Sequence, residues 1–494
     1  MTSQPYKMVI GLEVHVQLAT ESKLFCRCST KFGAPPNTQT CPVCTGTPGA
    51  LPVLNRHAYQ LSMKVALALN CEIPKFTKWD RKQYYYPDLP KGYQISQFDL
   101  PMSQNGYLAI SDPKDQFAAK RVGIIRAHLE EDAGKSIHDE QAGTADTRID
   151  LNRCGTPLLE IVSEPEMYSP LEAKAYLDEL KLLLTYLGVS DCNMQEGSLR
   201  VDANVNLHIP DDDSTDDEPI ATPIVEVKNM NSFRAVERAL AYEADRQWEV
   251  WQETGQRIGD VPKQTRGWDE SAQVTRAQRS KEESSDYRYF PDPDLVPVVV
   301  TDTEIEAVRS ELGEFPAALR SRLEETYGIK PYDSDVLVNQ GRELVDYYIE
   351  LAESCGDGKL ASNWVQQDVL RHLNEQEIAV SEFAVRPLAL SELLGKVKGG
   401  QLDTSRGREV LGEMIESGGS VTEAMTKLGI AEVDDSELMD LCHQLIESNP
   451  KIVADIQSGN LKAAGALIGQ AKQKNPNVNP SRVREICIDI ASKS

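Results

Sequence analysis

The chain has 494 residues, 40% of them hydrophobic and 26% charged, with a formal net charge of −25. That length exceeds the roughly 250–300 residues at which a single hydrophobic core stops growing, so two or three domains are expected. The composition excludes a disordered or low-complexity protein, no apolar run could span a bilayer, and so acidic a chain confines any nucleic-acid contact to local patches.

The opening MTSQPYKMVIGLEVHV shows no charged segment followed by an apolar core and a small-residue cleavage site, so no secretory signal is expected. The expected compartment is reducing, cytoplasmic or the equivalent organellar stroma or matrix. In MVIGLEVHVQL apolar and polar residues alternate, which predicts a half-buried strand with Glu13 and His15 on one face. CRC and CPVC then place Cys26, Cys28, Cys41 and Cys44 as two close pairs separated by a loop. Such pairs let four thiolates reach one tetrahedral ion, so this spacing predicts a zinc site. With four sulfurs no coordination position stays open, and such a zinc is structural.

A helix is predicted from about Asn55 to Leu69. It is followed by YYYPDLPKGYQISQ (84–97), where tyrosines could stack on a base or ribose and Lys91-Gly92 could approach a phosphate; an edge-strand turn with core tyrosines explains the same residues. VGIIRAHLEEDAGKS puts His128 and Glu130 on one strand face, with Glu131, Asp132 and Lys135 at the strand's end. Its terminal Gly-Lys-Ser resembles the end of a phosphate-cradling P-loop. A P-loop requires another glycine five positions before Gly134, and position 129 is Leu, which excludes it. Carboxylates and imidazoles facing the same way on two strands have the composition of a magnesium site, or of a salt-bridged polar sheet face.

TRIDLNRCGTPLLE, SLRVDANVNLHI and PIVEVKNM continue the alternation, and the acid-rich 210–219 between them reads as a solvated loop. Two helices interrupt this part: one capped by Ser169 with Pro170 and a capping-box Glu172, the other running from Ser232 to Gly255. Strands separated mostly by turns predict an antiparallel α+β sheet. After about residue 300 the spacing becomes helical. Three domains are expected: 1–295 carrying the chemistry, an all-α domain 296–405 and an all-α tail 406–494. Residues 451–494 carry seven Lys/Arg against three acids, a basic island that is either a solvated surface or a grip on RNA. No G-x-S-x-G elbow and no isolated nucleophilic cysteine stands out, so the chain shows no equipment of its own for hydrolysing an amide.

GLEVHVQL, the four cysteines, YYPDLPKGYQISQ, HLEEDAGKS, DLNRCGTPLLEIVSEP and RSKEESSDYRYFPDPDL together resemble the signature strings of the B subunits of aspartyl/glutamyl-tRNA amidotransferases, in that family's order from about residue 8 to the C-terminus. The resemblance implies a cradle domain comparable with glutamine synthetase, a helical domain and a tRNA-gripping tail. It implies that ATP phosphorylates the side-chain carboxylate of Glu-tRNA(Gln) or Asp-tRNA(Asn), and that ammonia then displaces phosphate. The ammonia comes from an amidase-fold A subunit, and a small C subunit joins the other two. Carried onto this sequence, it implies Glu13, His15 and Glu130 around magnesium with Glu131 close behind. Lys135 and Lys91 are phosphate candidates, and Arg153 and Arg200 candidates to orient the substrate carboxylate or the tRNA end. Many relatives have a histidine where this chain has Ser285, and the tail reads KQKNPNVNP in place of the family's usual run. The competing reading is a non-catalytic, zinc-containing scaffold that only delivers tRNA.

Overall fold

The computed structural model describes residues 5–138, 147–211, 219–278, 287–430, 435–475 and 477–493; Ser285 and most of the acidic 210–219 segment lie outside them. The chain forms two compact units, one ending at Ala317 and one beginning at Ala318.

The first unit is built on a nine-stranded sheet. From one edge its strands are β14 (Val274–Ala277), β13 (Gln264–Asp269), β12 (Val225–Lys228), β10 (Leu199–Ile209), β1 (Lys7–Gln17), β9 (Pro157–Ser163), β6 (Lys120–Glu131) and β5 (Ser103–Ile110), with β11 (Ile220–Ala221) beside β10. A smaller sheet joins β15 (Phe290–Pro291), β3 (Asp80–Gln83) and β4 (Tyr93–Ser96), and two pairs join β2 (Phe76–Thr77) to β16 (Val298–Val299) and β7 (Lys135–His138) to β8 (Thr147–Asp150).

The period-two pattern of β1 does what it predicts. Ile10, Leu12, Val14 and Val16 are fully buried in the core, and the intervening Glu13, His15 and Gln17 line the opposite face. Three helices, α1 (Arg56–Ala68), α2 (Pro170–Tyr186) and α3 (Phe233–Thr254), supply the other side of the core through Leu61, Val65, Tyr176, Leu180, Leu184, Val236 and Leu240. With the helices on one face, the other is left for polar residues.

Two details depart from expectation. The pair β12–β13 is parallel, so the sheet is mixed rather than wholly antiparallel. Helix α3 is the reason: it lies between these strands in sequence and returns the chain to the same end of the sheet, as parallel neighbours require. Ser169 caps α2 by accepting from Glu172 N–H, but the Glu172 carboxylate accepts from the Tyr168 N–H at 2.9 Å and from Lys120 at 3.0 Å. The N–H one residue before the cap, together with Lys120, thus takes the carboxylate that would complete a capping box.

The first unit extends beyond residue 295 because helix α4 (Asp302–Ser310) and its end return to the sheet domain, with Lys75 on Asp302 and Lys64 on Glu311 at 2.9 Å. The second unit is helical. Its last part has its own core of Leu438, Cys442, Leu445, Leu467, Val483 and Cys487. It is joined to the turn before helix Thr404–Ser417 by Asn479, which donates to the carbonyls of Gly400 and Leu402. Among the described residues no helix is long and apolar enough to cross a membrane.

A candidate divalent-cation site on the polar sheet face

Strand register decides which polar side chains meet. His128 on β6 pairs with Glu160 on β9, Glu160 with His15 on β1, and His15 with Arg200 on β10, giving one row across four strands. Both His15 Nε2 and His128 Nε2 approach Glu160 Oε2, at 3.6 and 3.5 Å. Glu130, two residues along β6 and hence on the same face, completes a group with His15 and Glu160 whose ligand atoms all lie within 4.8 Å of one another. Neighbouring donors around a hard divalent ion are that close, so two carboxylates and one imidazole fit such an ion with positions to spare for water or phosphate oxygen.

The electrostatics of this cluster are those of a site short of positive charge. Burial, and then the nearby Glu160 charge, push the Glu130 carboxyl up to about 7. Burial works against charge on His15, yet its contact with Glu160 raises its pKa. Burial pushes His128 down to about 4, leaving it neutral, and its Nδ1 is buried without a hydrogen-bond partner. Burial opposes charge on Glu160 too, but the two imidazoles and Lys82 hold it well below the usual carboxylate range. A divalent cation would relieve the Glu130–Glu160 repulsion.

Glu13, expected in the same set, belongs to a second one. It pairs with Asp202 across β1–β10, accepts from Asn204 Nδ2 at 2.9 Å, and forms with Asp202 and Glu226 another group of ligand atoms within 4.8 Å. Lys228 bridges Asp202 and Glu226. In the structure the Glu13 carboxylate therefore lies with those of Asp202 and Glu226 and is not among the three donors that meet at His15.

The small sheet supplies the wall. Lys82 on β3, not among the sequence candidates, is coupled to the cluster through charge: burial disfavours its ammonium, but Glu130, Tyr289 and Glu160 more than restore it and raise its pKa. Its Nζ lies 5.0 Å from the centre of the Tyr287 ring, and Tyr289 stacks on Phe98 at 4.1 Å with their planes 8° apart. Only its position in the alternating RKQYYY run hinted at Lys82, since pairing across sheets is invisible in sequence.

The other candidates have defined partners. Lys91 and Glu131 form a buried ion pair, and Glu131 also accepts from Ile95 N–H at 3.1 Å, so each neutralises the other at the edge of the site. Burial opposes charge on Asp132, but Arg200 and Arg153 keep it ionised. Arg200 Nη2 stands 2.8 Å from Asp132, while its Nε is buried without a hydrogen-bond partner beside His15. Arg153 is committed to backbone, donating to the carbonyls of Ala133 and Gly134 at 2.9 and 2.6 Å. Lys135 is exposed on β7. Gly134 is required for a close approach: a Cβ there would meet the Asp88 and Asp150 carbonyls at 2.9 and 3.0 Å.

Cys26, Cys28, Cys41 and Cys44 converge, with all four sulfurs within 4.8 Å of one another and the Cys41 and Cys44 sulfurs 3.9 Å apart. The edge of a tetrahedron with Zn–S bonds of about 2.3 Å is about 3.8 Å, so the residues fit zinc. The knuckle touches the edge of the cation site: Gly46 lies against Lys91, and Gly155 against both Cys44 and Glu131.

Comparison with known proteins agrees along the whole chain. Residues 8–306 match the family model described as the GatB/GatE catalytic domain, and residues 346–490 the GatB domain. The chain is 58% identical over 489 residues to a Rhodopirellula baltica protein named as the B subunit of aspartyl/glutamyl-tRNA(Asn/Gln) amidotransferase, covering 99% of this chain and 97% of that one. Proteins of the same name from Carboxydothermus hydrogenoformans and Moorella thermoacetica are each 45% identical, covering 99% and 97% of this chain and 99% and 98% of theirs.

Proposed function

This chain belongs to the family of aspartyl/glutamyl-tRNA(Asn/Gln) amidotransferase B subunits, and from that membership we propose that it is the ATP-dependent carbon–nitrogen ligase component acting on mischarged Glu-tRNA(Gln), Asp-tRNA(Asn) or both. A carboxylate is a poor electrophile because its carbon is shielded by delocalised charge. Phosphorylation cures this: a side-chain oxygen bonds to the γ-phosphorus as the bond to ADP breaks. Ammonia then forms the C–N bond, phosphate leaves with the C–O electrons, and the nitrogen loses a proton to give the amide.

The convergence of His15, Glu130 and Glu160 on one small volume carries this reading. Magnesium there, and a second divalent ion between Glu13, Asp202 and Glu226, would supply the positive charge that lets two anions approach. The protein's own part is positioning and charge. Lys82 faces the carboxylates where a transferred phosphoryl group would gather charge, and the unpaired Nε of Arg200 suits a substrate oxygen next to His15. Asp132 holds Arg200 in place, and Lys91 is neutralised by Glu131, which makes that pair a support rather than a phosphate ligand. Zinc at the four cysteines staples the loop after β1 against this edge.

An acyl phosphate hydrolyses readily, and the chain shows no group for hydrolysing an amide. Partner subunits, a glutaminase A and a small C, are therefore proposed to deliver ammonia shielded from water. The test is to supply the assembled complex with ATP, magnesium, mischarged tRNA and ammonium salt in place of glutamine. Amidated aminoacyl-tRNA should form with the native chain and not with Glu130→Gln. Full turnover by Glu130→Gln would leave the chain as a tRNA-delivering scaffold.

A further inference from the structure

The four-cysteine centre encloses a lysine that metal ligation alone does not explain. Lys23 is fully buried. Its Nζ donates to the Gln39 carbonyl at 2.7 Å and lies 3.5 Å from the Leu151 carbonyl and 3.8 Å from Cys44 Sγ. An ammonium has three N–H donors and no acceptor, so three surrounding acceptors match its charged form; a neutral amine would aim its lone pair at one of them.

A buried cation needs an opposite charge. Both carbonyls are neutral, and among the described residues no carboxylate pairs with Lys23, which leaves the Cys44 sulfur. That sulfur also accepts the Cys41 N–H at 3.2 Å, and Cys44 is the one buried cysteine of the set. Gly155 closes the remaining side: a Cβ at this position, already at φ +82°, would sit 3.4 Å from Cys44 Cβ, 3.6 Å from Lys23 Cδ and 3.5 Å from Oε1 of Glu131, whose carboxylate is already paired with Lys91. Four thiolates on one divalent ion leave two surplus negative charges, and a buried ammonium beside the one buried cysteine removes half of that excess.

We infer that Lys23 is the charge-compensating partner of the four-thiolate centre, holding the Cys44 sulfur as a metal-bound thiolate. This rests on the metal reading of the four cysteines. Lys23 is a positioning residue that ligates nothing itself, so its effect appears in metal retention and in the spectrum of the metal–sulfur bonds.

The test compares the native chain, in its assembled complex, with Lys23→Met, Lys23→Gln and Lys23→Arg. Zinc content is measured, then the rate of zinc transfer to a chromophoric chelator, then the sulfur-to-cobalt charge-transfer bands after cobalt substitution. The neutral variants should lose zinc about tenfold faster or more and shift the bands, whereas Lys23→Arg should stay within about threefold of the native rate. Gln keeps a donor for the carbonyls, so it still reads the charge if the Met variant fails to fold. Native-like zinc retention in both neutral variants, or in Gln alone if Met does not fold, would overturn the assignment of Lys23. A native complex that carries no zinc would overturn the metal reading itself, and the role of Lys23 with it.

Discussion

His15 on β1 and Glu160 on β9 are direct cross-strand neighbours, with Nε2 and Oε2 3.6 Å apart. Glu160 is thereby placed between two imidazoles, with its ligand atoms close to those of Glu130, as the central donor of the proposed cation site. Glu160→Gln should lower tRNA-stimulated ATP hydrolysis by about a hundredfold or more while tRNA affinity stays within about threefold. Gln keeps the volume and a hydrogen-bonding oxygen, so the thermal midpoint should barely move. Unimpaired ATP hydrolysis would remove Glu160 from the site.

The Glu130 carboxyl, pushed up to about 7, gives the cation affinity a pH dependence. Below that pH the free site holds a proton on Glu130 that the cation must expel; above it, Glu130 is already ionised. His15 is also raised and adds to the trend, whereas His128, near 4, stays neutral throughout. Manganese or magnesium should therefore bind about tenfold more weakly at pH 6 than at pH 8, and Glu130→Gln should flatten that slope. Titration calorimetry at the two pH values decides it; equal affinities would mean that Glu130 is not a ligand.

Much of this was readable from residues alone, and the remainder has a common cause. Alternation along β1 and β6 puts His15 and Glu130 on the polar face of the sheet, cysteine spacing brings four sulfurs together, and Asn55, Ser169 and Ser232 do cap the predicted helices. Glu160 is not among the sequence candidates, and only its pairing with His15 and His128 reveals a ligand position. Glu13 was grouped with His15 because a shared face is a sequence property, whereas the choice of cluster depends on which neighbours β10 and β12 contribute. Lys82 needed the packing of a second sheet. Periodicity reports faces; register and sheet-to-sheet contact set distances.

Lys82→Met should cut kcat by about a hundredfold to a thousandfold with little change in tRNA affinity, as expected when one cationic partner of transferring charge is removed. The Met side chain retains contact with Tyr287, so lost packing is a minor part of the effect. A variant with native kcat and a raised KM for tRNA alone would make Lys82 an RNA contact.

Gly134 lies in the Gly-Lys-Ser string that imitates a P-loop, and the structure gives it a different reason to be glycine. Its N–H donates to the Asp88 carbonyl at 2.8 Å, and a Cβ would press on two backbone oxygens. Gly134→Ala should destabilise the first unit by about 1–3 kcal/mol, read by denaturant unfolding, and leave the KM for ATP unchanged below the new midpoint. A large rise in that KM without loss of stability would return the phosphate-cradle reading.

The basic balance of residues 451–494 survives folding as exposed charge. Lys451, Lys462, Lys474 and Arg484 are all solvent-facing, and none forms an ion pair among the described residues, unlike Lys472 near Asp403 and Lys493 on Asp489. Cations without partners are free to displace counterions from an RNA backbone. Replacing all four with Glu should weaken tRNA binding and reduce the slope of log affinity against log salt by about 0.7–0.9 for each side chain that contacts phosphate. The four positions lie on the surface, away from the Leu438–Ile490 core, so the thermal midpoint should be preserved. Affinity lost with an unchanged slope would point to local misfolding, and an unchanged affinity would make this surface an ordinary solvated one.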